Sequence, residues 1–154
     1  MAPAVHFDPE RLRAANINPS TGLATDYLNP YNEIAMMIAS LEDAPEMCGE
    51  VLDWRPVGYP THFRMTGFKE RDLAIAAYES ITPSVKARFL AARRDLELAI
   101  MDVQERIESH PEAAAQLASS APRIFDAIAR LGGVINGGTG EASAAQADVD
   151  SLYS

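Results

Sequence analysis

The chain has 154 residues, 47% of them hydrophobic and 23% charged, with a formal net charge of −9. That is enough chain for one core and too little for two, in ordinary globular proportions. The acidic balance excludes DNA, RNA and anionic membrane as partners. No apolar run is long enough to span a bilayer, and the single Cys48 forms no internal disulfide, which suits the reducing cytoplasm.

The first seven residues lack the basic and apolar regions of a signal peptide and read as an arm. Asp8-Pro9-Glu10 opens a short helix to about Ala15, and residues 16–22 break it, so 1–24 reads as an N-terminal arm with one short helix. A longer helix begins near Thr25 or Asp26. Its apolar stripe is Leu28, Tyr31, Ile34, Ala35, Ile38 and Leu41, and Pro30 kinks it or resets its start. Ala44-Pro45 punctuates, and a shorter helix over 45–53 turns Met47, Val51, Leu52 and Trp54 inward.

The connector 54–68 carries two prolines, two glycines and four aromatics. About 15 residues is long for a loop in a compact bundle. Trp54, Tyr59, His62, Phe63 and Arg64 therefore form a candidate recognition loop, with packing over a bundle end as the alternative. Helix formers resume at Lys69, with Leu73, Ala76, Ala77 and Ile81 inward.

Thr82-Pro83 is a helix start, a side-chain acceptor followed by a residue whose missing N–H costs nothing there. From it Val85, Phe89, Ala92, Leu96, Ala99, Ile100, Val103 and Ile107 recur at steps of about four and three, one apolar seam on a helix roughly 40 Å long. The opposite face carries five bases and five acids, so it offers no basic groove. His110-Pro111 ends this helix. An alanine-rich stretch over 111–118 is interrupted at Ala121-Pro122, and a last helix with Ile124, Phe125, Ile128 and Leu131 inward stops at Gly132-Gly133. Residues 136–145 collapse to small residues and read as a flexible linker. The fold class is all-α: an up-and-down bundle of four or five helices over 25–135, with a flexible tail over 136–154.

Few residues suggest chemistry. His6, His62 and His110 lack the Glu-x-x-His spacing of a carboxylate-bridged metal site and read as surface histidines, so no metal and no cofactor is expected. Glu42, Asp43, Glu46, Glu50 and Asp53 match no calcium loop and read as a solvated face. Cys48 reads as a small core residue. The glycines at 132–140 follow a helix, not a strand, and lack the Gly-Lys-Ser/Thr of a phosphate loop. Asp26, Asn29, Asn32 and Glu33 gather two acids and two amides within two helical turns, a candidate polar site, with helix capping around Pro30 as the alternative. Glu112 and Gln116 repeat the acid–amide spacing.

The tail carries the sharpest signal. Gln146, Asp148, Val149, Asp150, Leu152 and Tyr153 make a short acidic and apolar string after the linker, with Val149, Leu152 and Tyr153 on one edge of a helical turn. The string resembles the response-regulator-binding peptides of bacterial chemotaxis, found in the flagellar switch protein FliM and the phosphatase CheZ. Their pattern is Gln, a variable residue, an acid, Ile or Val, Asp, then Leu, which Gln146, Asp148, Val149, Asp150 and Leu152 match. Alanines precede Gln146 where the switch peptide has an apolar residue, and Tyr153 stands in place of Leu or Phe. The resemblance implies docking on a receiver domain. It does not carry over phosphatase activity, because Ile100 stands four residues before Gln104 where that family has Asp.

The leading expectation is a non-catalytic signalling adaptor whose tail, Gln146–Tyr153, docks on a receiver-domain protein. The alternatives are a small phosphatase-like enzyme using Asp26–Glu33 or Glu112 and Gln116, and a structural homo-oligomer that buries what remains exposed of the long helix.

Overall fold

The structure is a computed structural model, and it describes residues 7–138. Among them are seven α-helices, more than the four or five expected: α1 Pro9–Ala14, α2 Asn29–Ala39, α3 Cys48–Asp53, α4 Tyr59–Met65, α5 Arg71–Glu79, α6 Pro83–Ser109 and α7 Ala121–Ile135. Tight 3₁₀ turns at Thr25–Leu28, Ser40–Glu42, Pro45–Met47 and Pro111–Ser120 join several of them. The only strand-like pairing among the described residues is a single antiparallel bridge from Ile17 to Ala24, so the all-α class stands.

α6 forms where the seam places it. The Thr82 hydroxyl accepts from Val85 N–H at 3.2 Å, and Pro83 takes the first turn. Val85, Phe89, Leu96, Ala99, Ile100, Val103 and Ile107 are buried, while Ala92 is half-buried. α7 and the Pro111–Ser120 segment pack along one side of this seam, α3 along another, and α2 bridges to α7. The extra helices are short. Pro30 does reset a start, splitting the expected helix into a 3₁₀ turn and α2.

Two expectations fail for local reasons. Residues 59–65 are helix, not loop, because Pro60 sits in the first turn and Tyr59, His62 and Phe63 share one buried face. α7 runs through Gly132-Gly133 to Ile135, with Asn136 as its cap. Gly137, at φ 92°, is the left-handed residue that stops it. Gly137 N–H donates to Val134 C=O at 3.1 Å and Gly138 N–H to Gly133 C=O at 2.6 Å, the paired bonds of a glycine-terminated helix. Phe125, expected inward, is 38% exposed.

The segment read as an arm contributes Leu12, Ala15, Ile17, Leu23 and Ala24 to the same buried cluster as α6 and α7. Thr21 fastens it, its hydroxyl donating to Ile135 C=O at 2.6 Å, one of the carbonyls the end of α7 leaves unpaired. Gly22 beside it stands at φ 77°, and an added Cβ would lie 3.0 Å from the Ile81 side chain and 3.2 Å from Ala77 C=O. Gly22→Ala combines backbone strain with a backbone clash, so it lowers unfolding stability by more than about 1 kcal/mol in urea titration.

Candidate functional site

Polar groups enter the core where the Thr25–Leu28 turn, α2, α4 and α6 meet. The Tyr27 hydroxyl donates to Val57 C=O at 2.7 Å, and the Tyr31 hydroxyl donates to Glu97 Oε2 at 2.6 Å. The two hydroxyls lie 3.1 Å apart. The Tyr31 proton goes to Glu97, so at that contact Tyr31 accepts, and Tyr27 has one proton for Val57 C=O and Tyr31 together. Beside it, Arg93 Nε is buried with no hydrogen-bond partner among the described residues, 3.7 Å from Glu97 Oε2. The Arg93 guanidinium lies over the Phe89 ring at 5.9 Å from its centre.

The electrostatics follow from burial. Loss of water raises the Tyr27 and Tyr31 phenols above the ordinary tyrosine range; for Tyr31 the neighbouring Tyr27 and the bond to Glu97 push the same way. Tyr59, whose hydroxyl accepts from Ala24 N–H at 2.8 Å, is raised mainly by burial despite that bond. Burial pulls the Arg93 guanidinium down, but Tyr27 and Glu97 outweigh it and the net shift is upward.

His62 is 2% exposed, not a surface histidine, and its Nε2 lies 2.9 Å from Asp26 Oδ2. Asn29 Nδ2 donates to Asp26 Oδ1 at 3.2 Å. Both oxygens of Asp26 are thus engaged. Asp26 and Asn29 share the wall of a cleft of about 540 Å³ with Arg13, Asn16, Asn18 and Phe68. Asn16 is the one non-glycine at positive φ (62°) among the described residues, in the left-handed region that asparagine tolerates best. Asn18 is occupied, accepting from Ser20 N–H at 2.8 Å and Thr21 N–H at 3.1 Å.

The candidate polar site is therefore divided. Asp26 and Asn29 meet in the cleft, while Asn32 is half-buried and Glu33 exposed, and neither lines it. Glu112 and Gln116 lie in a 3₁₀ segment, where three residues complete a turn. Residues four apart then point about 120° away from each other and share no face. The candidate recognition loop is mostly core. Tyr59, His62 and Phe63 are buried, Trp54 is half-buried against Tyr31 with ring centres 5.7 Å apart, and of the five only Arg64 is exposed. Buried rings cannot meet a partner without unfolding α4. The tail residues Gln146, Asp148, Val149, Asp150, Leu152 and Tyr153 lie outside the described residues.

Sequence reasoning missed the Tyr27–Tyr31–Glu97 chain and Gln104, whose side-chain amide donates to Val51 C=O and Trp54 C=O, each at 2.9 Å. The available signal was position: Glu97 and Gln104 each stand next to a seam residue, Leu96 and Val103, at the border where a polar group is partly drawn in. No three His, Cys, Asp or Glu side chains among the described residues gather as a metal set, and no helix there is long and apolar enough to cross a membrane.

Two outcomes test the polar core. Tyr31→Phe leaves Glu97 short of a donor and lowers stability by about 1–3 kcal/mol in denaturant titration. The raised phenols stabilise the folded chain fully below pH ~10, where unfolded tyrosine is protonated, and this stabilisation is lost as pH climbs toward the folded values. Phenolate absorbance from Tyr27, Tyr31 and Tyr59 therefore emerges together with the loss of helical circular dichroism at alkaline pH. Ionisation of all three in a folded chain would contradict it.

No family model, no curated protein and no solved structure matches this chain.

Proposed function

We propose that the protein is a non-catalytic cytoplasmic adaptor of bacterial signalling, and that its C-terminal string Gln146–Tyr153 docks on a receiver-domain partner. The observation that carries this reading is the sequence of the string, in which Gln146, Asp148, Val149, Asp150 and Leu152 fall at the spacing of the chemotaxis docking peptides. Val149, Leu152 and Tyr153 supply the apolar contact, and Asp148 and Asp150 steer toward a basic partner surface.

The described domain fits an adaptor better than a phosphoryl-directed enzyme. A hydrolase centred on Asp26 needs that carboxylate free to act on water or phosphate, whereas His62 and Asn29 engage both its oxygens, and Glu33 stands outside the cleft. α7 closes on the paired bonds at Gly137 and Gly138, and Arg88 donates to Gly138 C=O at 3.3 Å. The domain therefore has a defined exit point, from which 16 residues follow to the last one in the sequence.

Calorimetry against a receiver domain, with and without a beryllofluoride phosphoryl mimic, tests the reading. Removal of the residues after Gly138, or Val149→Ala with Leu152→Ala, weakens binding at least about tenfold, roughly 1.4 kcal/mol, while helicity is kept. Equal binding by the truncated chain sinks the proposal.

A further inference from the structure

α6 buries one seam and leaves another in solvent. Ala91, Arg94, Leu98, Met101, Glu105 and Glu108 recur at alternating steps of three and four and form a straight stripe along the helix. All six are exposed, Leu98 by 53% and Met101 by 49%. Two neighbouring apolar side chains therefore stand in water midway along the longest helix.

The charges of α6 are sorted by half. Residues 83–94 hold Lys86, Arg88, Arg93 and Arg94 and no acid. Residues 95–109 hold Asp95, Glu97, Asp102, Glu105 and Glu108, with Arg106 the only base. The helix dipole favours the reverse, acids near the N-terminus and bases near the C-terminus. The helix's own stability therefore gives no reason for this order. A second helix lying antiparallel gives one on the exposed stripe, where Arg94 of the basic half then faces Glu105 in the acidic half of the other.

We propose that this stripe is the interface of a homodimer, in which α6 packs antiparallel against α6 of a second copy about a two-fold axis between Leu98 and Met101. That axis pairs positions whose numbers are symmetric about it. Leu98 meets the partner's Met101, Arg94 meets the partner's Glu105, and Ala91 leaves room for the partner's Glu108. Each contact occurs twice, as an isologous interface requires. The surface is shaped for it. On one side Met101, Leu52 and Pro56, with Arg55 and Glu105 at the edge, line a hollow of about 290 Å³, and on the other Leu98, Ala99 and Ala127, with Arg123 and Arg130 beside them, line one of about 230 Å³. The partner's Leu98 enters the first and the partner's Met101 the second. The acids flanking the axis are already occupied: Tyr31 holds Glu97, and Asp102 pairs with Arg106 at 3.1 Å.

Sedimentation equilibrium on the full chain tests the proposal. The expected mass is twice 16.7 kDa. Arg94→Glu alone sets acid against acid twice, and Glu105→Arg alone sets base against base twice, so each weakens self-association at least about tenfold. The two single variants mixed together recover the dimer, because in the mixed pair every site is again opposite in charge. The chain carrying both changes recovers it too. All the substituted side chains are exposed, so circular dichroism stays that of the parent. A chain that remains at 16.7 kDa up to about 1 mM, a dimer indifferent to Leu98→Glu, or single variants that do not recover on mixing would each overturn it. A dimer insensitive to both charge reversals would use another face and would overturn it equally.

Discussion

A helix of 27 residues in a domain of this size must bury its apolar seam along nearly its whole length, and the other elements are arranged to meet that demand. α7 and the Pro111–Ser120 segment pack against α6, while the aromatic group of Tyr27, Tyr59 and Tyr78 closes around Phe89. A seam of this kind exposed to water would cost about 1.5–3 kcal/mol for each large side chain. The short helices α1, α3 and α4 are too brief to persist alone, and the packing that covers α6 holds them.

The same demand explains the polar core. Covering the N-terminal half of α6 brings in Tyr27, Tyr31, Tyr59 and His62, side chains with an apolar body and a polar end. Buried polar ends need partners. Val57 C=O, Ala24 N–H, Asp26 and Glu97 supply them, from three separate parts of the chain. These bonds tie residues that are 30 to 66 positions apart, so they fix which elements touch as well as how strongly. Arg93, its Nε buried and unbonded among the described residues, is the point where the accounting is left open.

The long elements were legible in the sequence because each announces itself twice, by period and by cap. Thr82-Pro83 and the seam to Ile107 gave α6 its start and its buried face, and Pro30 offered the start of α2 as one of two readings, the other a kink in a helix from Thr25 or Asp26. Short elements announce themselves less. Tyr59-Pro60 to Met65 holds too few residues for a period to show, and its prolines and glycines suggested a loop. Gly132-Gly133 looked like a stop, yet φ becomes positive only at Gly137. At Gly132 an added Cβ would lie 3.3 Å from the Leu28 side chain, so the close approach of that turn favours glycine inside α7. The site was half legible. Asp26 and Asn29 are close in sequence and meet in space, but the bond from Asp26 to His62 spans 36 positions and no local pattern reveals it. The exposed stripe of α6 shows the same limit from the other side. Five bases and five acids sum to a neutral face, and only their order along the helix separates a neutral surface from a self-complementary one.

That order bears on how two tails would work together. Arg88 fixes the exit of the tail near the N-terminal end of α6. In an antiparallel pair the two exits then stand near opposite ends, about 35 Å apart along the axis at 1.5 Å per residue. A chain of seven residues, the number between Gly138 and Gln146, spans roughly 15 Å on average where it is flexible. Two tails so placed do not converge easily on one small receiver domain. Dimerisation would therefore add little to the affinity for a single isolated partner. It would add much where partners are themselves clustered, because the second tail then binds at an effective concentration set by the linker. Tail and stripe would thus be separable devices: the tail would select what is bound, and the stripe would favour partners that are presented in arrays.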